Sequence, residues 1–153
     1  MEISIRRMEM KDAAEVARLS SQFGYPATLD AVSQRLPALL ASHVDWLWVA
    51  EAGGRVLGWI QATAMSRLES GAFVEITGLV VDEGHRSLGI GRRLVDAVLR
   101  LGEERSAPRV VVRSNVVRDR AHHFYLQIGF AEMKQQKVFE KRLDPQSDSK
   151  GQQ

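Results

Sequence analysis

Six residues, Arg86-Ser87-Leu88-Gly89-Ile90-Gly91, constrain this chain most. They stand between an apolar, strand-like run, Ala72 to Val81, and a stretch in which Ile90, Leu94, Val98 and Leu101 recur on one helical face. A strand, a glycine-bearing turn and a helix start together build an anion cradle. The first N–H groups of a helix have no intrahelical acceptor, and the helix dipole favours negative charge there. Gly89 and Gly91 let a phosphate approach the backbone with no Cβ in the way. A glycine turn alone is a weak signal, and the order of the flanking elements gives it weight.

With 153 residues the chain is long enough for one domain with a real core. Cysteine is absent, which removes disulfides, thiolate metal sites and a cysteine nucleophile and fits a reducing compartment. No apolar run approaches membrane-spanning length, so the expected location is cytoplasmic. The basic residues are scattered and are not interleaved with aromatics, so neither a nucleic acid nor a membrane is expected as partner.

Ile3 and Ile5 alternate with polar residues and predict a short first strand. Asp12 followed by Glu15 reads as a capping box opening a helix that buries Ala13, Val16, Ala17 and Ser20, and Gly24-Tyr25-Pro26 ends it. Thr28 caps a second helix carrying Leu29, Val32, Leu36, Leu39 and Leu40, with a kink or break near Leu36 because Pro37 follows. Trp46 to Glu51 and Val56 to Met65 form a hairpin through Gly53-Gly54. Ala72 to Val81 is apolar in both parities, hence covered on both faces, and Gly78 within it predicts a bulge or a close backbone approach. A helix over about Gly89 to Glu104 and a strand over Arg109 to Asn115 follow. A fourth helix has Ala121, Phe124, Tyr125 and Ile128 on one face and Gly129 as its C-terminal cap. Phe130 to Leu143 is expected to hold one or two closing strands, before a polar, disordered tail from Asp144 to Gln153.

This order, with Arg86-x-x-Gly89-x-Gly91 between the fourth strand and the third helix, resembles the GNAT acyltransferase superfamily over roughly Met1 to Leu143. Three further features agree with the resemblance. Glu75 lies eleven positions before Arg86, Asn115 ends the fifth strand, and Phe124-Tyr125 precedes Gly129-Phe130. Ser87 and Leu88 depart from it, standing where a basic or small residue often follows the arginine. The resemblance implies a single α/β domain over residues 1–143, with a splayed mixed sheet of six to seven strands and about four helices on its two faces. It also implies acetyl-CoA as acyl donor, no metal, and an amine acceptor that is either a small molecule or a protein. It is compatible with a homodimer.

On that reading the pyrophosphate lies on the N–H groups from Ser87 through Leu88, Gly89, Ile90 and Gly91 to Arg92, with Arg86 adding charge and Arg92 or Arg93 available to do so. The pantetheine amides pair with backbone along Leu79, Val80 and Val81, and Asn115 adds a donor-side contact. An amine nucleophile must be neutral, while a free lysine-like amine has a pKa near ~10.4, so a base is required. Glu75 is the candidate, with Phe73, Thr77 and Leu79 expected as mostly apolar neighbours on its face. Tyr125 is the candidate acid for the leaving thiolate, and a buried core tyrosine is its bland alternative. The residues between Gln22 and Tyr25, with Phe23 and Tyr25 as apolar walls, together with Glu75 and the segment near Lys134 to Lys137, are expected to border the acceptor. His122 and His123 flank the helix face and read as surface groups. Direct transfer in a ternary complex is favoured. The alternatives are a non-catalytic acyl-CoA sensor and a nucleotide-binding domain. The strands preceding the motif oppose the latter, because dinucleotide folds place the glycine turn after their first strand.

Overall fold

The computed structural model describes residues 1–24, 27–114, 116 and 118–144. They fall into two compact units, Met1–Arg113 and the residues from Ser114 onward. The first unit holds β1 (Ser4–Arg7), a 3-10 turn (Met10–Asp12), α1 (Ala13–Ser21), α2 (Leu29–Ala41), β2 (Asp45–Ala52), β3 (Arg55–Arg67), β4 (Gly71–Val81), a 3-10 turn (Glu83–His85), α3 (Ile90–Glu104) and β5 (Val110–Val112). The second holds α4 (Asp119–Gln127).

The sheet is open and runs β1-β2-β3-β4-β5, antiparallel except for the parallel pair β4–β5. Helices α1 and α2 cover one face, where Val16, Leu19 and Leu36 meet Leu47, Val49, Val56 and Val80. Helix α3 covers the other face, and its predicted stripe of Ile90, Leu94, Val98 and Leu101 is buried throughout. Gly58 permits this contact, since a Cβ there would sit 3.2 Å from both Ile90 and Leu94. The β2–β3 hairpin turns through Gly53 and Gly54, both at positive φ, as the paired glycines predict.

Several expectations are corrected. Helix α2 runs unbroken through Pro37. Pro37 is exposed, so the carbonyl left without its N–H partner can turn to water, while Leu36, 2% exposed, anchors the helix. The box expected at Asp12 and Glu15 begins three residues earlier: the Glu9 N–H donates to Asp12 Oδ2 at 2.8 Å. Glu15 instead accepts from Arg18 and Arg55. Among the described residues the sheet has five strands, not six or seven, and Phe130 to Leu143 forms no strand. The apolar residues of that segment, Met133, Val138, Phe139 and Leu143, lack the alternation that would give a strand one buried face. On α4 the predicted face of Ala121, Phe124, Tyr125 and Ile128 is only half-buried. Asn115, Tyr25 and residues 145–153, including most of the expected tail, lie outside the described residues.

One ionic knot ties the N-terminal elements together. Arg6 of β1 donates to Asp12 through both terminal nitrogens, at 2.9 and 2.8 Å, and through Nε to Glu51 of β2. Asp12 is only 3% exposed. Burial alone raises its carboxyl, but the bonds from Arg6 and the Glu9 N–H, with the guanidinium charge, outweigh burial and hold it below the ordinary value of 3.8. A depressed carboxyl stabilises the fold above its unfolded pKa, and the contribution is lost as pH falls through the lower folded value. Asp12→Ala should therefore cost about 2–3 kcal/mol in urea denaturation at pH 7, since Glu51 still engages Arg6. The gap between wild type and variant should narrow below about pH 4. A pH-independent gap would mean that packing, not the ion pair, carries the effect.

Candidate functional site

The site forms where β4 loses its neighbour. β5 pairs with β4 only from Val74↔Val110 to Ile76↔Val112, whereas β4 stays paired with β3 as far as Gly58↔Val81. From Thr77 to Val81 no strand covers the β5 side of β4 among the described residues. The break coincides with a bulge: Gln61 faces Gly78 and Ala62 faces Ile76, which leaves Thr77 as the extra residue. Gly78 is required there, because a Cβ would stand 2.8 Å from the Trp59 ring. The Trp59 Nε1–H is buried without a hydrogen-bond partner.

The bulge changes which residues share a face with Glu75. Glu75 pairs with Thr63, and Gly78 and Val80 with Gln61 and Trp59, so these β4 residues point to one side. The expected neighbour Leu79 does not, since it pairs with Ile60 on the other side, because the extra residue inverts the alternation beyond the bulge. The surroundings of Glu75 are also less apolar than expected. Its side chain is 13% exposed and lies 3.4 Å from Arg113 Nε. Phe73, two residues along, lies under the guanidinium groups of Arg67 and Arg109, at 5.7 and 4.6 Å from the ring centroid.

Beyond Val81 the chain turns into the cradle. Asp82 accepts from the Gly84 N–H and bonds His85 Nδ1 at 3.0 Å. Burial alone raises the Asp82 carboxyl, but the bonds from Gln22, His85 and Gly84 leave it below the ordinary range. Ser87 and Gly89 are both left-handed, at φ 72° and 77°. Gly89 is the N-cap of α3 with no side-chain hydrogen bond, and a Cβ on it would enter open space. The first turn of α3 holds no acidic residue but carries Arg92, which is exposed, and Arg93. Positive charge at a helix N-terminus opposes the dipole, and no acidic residue of the first turn offsets it. Ile90, 1% exposed, anchors the turn from below.

The sequence candidates divide on this frame. Glu75, Leu79, Val80, Val81 and the run Arg86 to Arg92 lie on one continuous path along β4 and into α3. Val80 turns its side chain into the core and offers only backbone. Arg93 donates to the Ile3 carbonyl and serves the β1–α3 contact. Tyr125 belongs to the second unit, edge-on to Phe124 and Phe130 at 5.2 and 5.6 Å.

The match with known proteins follows this geometry. The model of the acetyltransferase (GNAT) family matches residues 13–130. The chain belongs to that family. N-acetyltransferase 8B of Mus musculus is 32% identical over 89 residues, 58% of this chain and 38% of that protein. N-acetyltransferase 8 of Rattus norvegicus is 31% identical over 92 residues, 60% of this chain and 41% of that protein. The chain thus spans about two fifths of the length of the curated relatives it matches. The aminoglycoside N-acetyltransferase AAC(6')-Iy, solved with a CoA bisubstrate analogue, superposes with TM-score 0.83 at 20% identity over 93% of this chain and 99% of its own. A ribosomal-protein-alanine N-acetyltransferase from Brucella melitensis biovar Abortus 2308 gives 0.75 at 21% over 92% and 100%. At these identities the likeness is one of fold.

The sequence did not reveal a clamp beneath the cradle. Gln22, at the end of α1, donates through Nε2 to Asp82 Oδ1 and accepts through Oε1 from the Glu83 N–H, both at 3.1 Å. Next to it the Arg86 guanidinium lies 5.0 Å from the Phe23 ring centroid. Phe23 also packs against the core under α1 and α2. Neither contact has a local signature, because the partners stand about sixty positions apart in the chain. Two substitutions test the cradle by calorimetric titration with CoA. Gly89→Glu fills the opening with a like charge and should abolish binding. Gln22→Ala frees the Asp82 turn and should weaken binding several-fold while the melting temperature stays within a few degrees. Unchanged affinity in a folded Gly89→Glu protein would put the anion site elsewhere.

Proposed function

We propose that this chain transfers the acetyl group of acetyl-CoA to a primary amine by direct attack in a ternary complex. The observation that carries the reading is the continuous path from the uncovered stretch of β4 to the uncapped, arginine-bearing start of α3. The residues fit the donor: the open space over Gly89 suits a pyrophosphate on the N–H groups between Ser87 and Arg92, with Arg86 beside it. Backbone along Leu79 to Val81 suits the pantetheine amides. When bound, acetyl-CoA supplies an activated acyl group on a thiol leaving group. Asn115 is proposed as a further donor-side contact from its place in the family pattern.

Glu75 is proposed to take the proton of the attacking amine, directly or through one water. Its place on β4 just before the bulge supports this, because it sets the side chain beside the stretch of strand left uncovered. Tyr125 is proposed as proton donor to the thiolate, on its family position. Phe23, Tyr25 and the segment Lys134 to Lys137 are proposed to border the acceptor, a small molecule or a protein. Among the described residues no helix is long and apolar enough to cross a membrane. The cysteine-free composition fits the reducing cytoplasm as the place of action.

A screen of primary amines with acetyl-CoA, following thiol release, tests the activity. CoA binding without turnover of any amine would favour an acyl-CoA-binding module instead. With an acceptor in hand, Glu75→Gln should lower kcat by about 10²-fold or more, with acetyl-CoA affinity nearly unchanged. The deficit should shrink as pH rises and more of the acceptor is already neutral. Wild-type kcat/KM in the variant across neutral pH would make Glu75 structural and leave catalysis to positioning.

A further inference from the structure

We propose that the Trp59 indole forms the end wall of the acyl pocket and limits the donor to short acyl chains. That role rests on the donor reading above, in which acetyl-CoA runs from the start of α3 back along Val81, Val80 and Leu79. The thioester then lies toward Thr77 and Gly78, and an acyl chain there meets three walls. Ahead, the opening beside β4 closes where Ile76 pairs with Val112 of β5. On the face covered by α3, Ile60 and Ile76 are 0% and 3% exposed and leave no room. On the other face, which Gly78 shares with Glu75, stands Trp59. Gly78 has no side chain to set a limit, so the limit falls to the ring beside it. That ring is close: a Cβ on Gly78 would stand 2.8 Å from Trp59 Cη2 and Cζ3.

The kind of residue supports the role. Trp59 is half-buried and packs against the core cluster under α1 and α2, so close-packed side chains back the ring and it yields little to a longer chain. Its Nε1–H is buried with no partner among the described residues. A phenylalanine or leucine would fill the same core without leaving a donor unsatisfied. What those residues lack is the second fused ring, and the Cζ3–Cη2 edge of that ring is the part that reaches Gly78. The indole thus spans from the core to the bare backbone of β4. One methylene too many against a wall of this kind discriminates by about 10–200-fold. Propionyl and butyryl groups extend further toward the ring than an acetyl group does.

Nuclear magnetic resonance on the full chain with isotope-labelled acetyl-CoA and no amine gives a readout independent of turnover. The expected result is a nuclear Overhauser contact between the acetyl methyl and the assigned Trp59 ring protons. With an acceptor from the amine screen, kcat/KM should fall by about tenfold or more from acetyl-CoA to butyryl-CoA. Trp59→Phe removes the second ring and should close most of that gap, by raising the butyryl-CoA value about tenfold. Acetyl-CoA that binds without touching Trp59 overturns the proposal and leaves the donor site standing. So does a wild type that uses both donors alike, or a folded Trp59→Phe protein that keeps the discrimination. Failure of both CoA and acetyl-CoA to bind overturns the donor reading, and the proposal with it. If the variant does not fold, or no amine is turned over, the Overhauser contact decides alone.

Discussion

The parallel ladder between β4 and β5 stops at Ile76 and Val112, and the rest of the site depends on that stop. A strand paired on both sides has no backbone group to offer a ligand. A strand paired on one side offers a regular row of them, in the spacing that an extended amide-bearing molecule can match. The bulge at Thr77 marks the change, by shifting the phase of β4 just where the neighbour departs. Trp59 ties the device to the core, since its ring lies so close to Gly78 that no larger residue fits. The same ring packs against the cluster under α1 and α2, so the opening of the sheet and the seating of those helices share one side chain.

Two polar ties keep the ends of this opening from drifting. Arg6 draws β1, β2 and the start of α1 together through Asp12 and Glu51. Gln22 then fastens the far end of α1 to the turn that follows β4. Helix α1 is thereby held at both ends, and the loop leaving it starts from a fixed point beside the cradle. Bonds of this kind each contribute on the order of 1 kcal/mol net, more where a charge takes part. That is little beside the apolar burial of the core, but it acts at positions where burial alone leaves the backbone free to shift.

The sequence made legible what local chemistry controls. Thr28 caps α2, accepting from the Ala31 N–H, because that bond spans three residues. The stripe on α3 predicted its buried face because a 3.6-residue period has one inside. What stayed hidden depends on distant partners. Nothing local announces that Gln22 meets Asp82, or that Arg113 meets Glu75. The neighbours of Glu75 were misread because strict alternation was assumed across a bulge that Gly78 only hinted at. Pro37 misled for the converse reason: a tertiary anchor at Leu36 outweighs one missing hydrogen bond on a solvent-facing side.

The cradle shows how such local costs are carried. Ser87 sits at φ 72°, a region that costs a residue with a Cβ roughly 1–2 kcal/mol. Arginines in the first turn of α3 add unfavourable charge there, typically ~0.3–1 kcal/mol each. Neither cost is offset by a capping side chain, since Gly89 supplies none. They are borne by the anchors around the turn: Ile90 buried beneath it, Asp82 bonded to Gly84 and Gln22, and Arg86 stacked on Phe23. Strain and like charge at this turn are thus held in place by rigid surroundings, and the proposed donor would relieve both. The turn's geometry is fixed by its own packing and hydrogen bonds, which is what the proposed donor site requires if binding is not also to fold the loop.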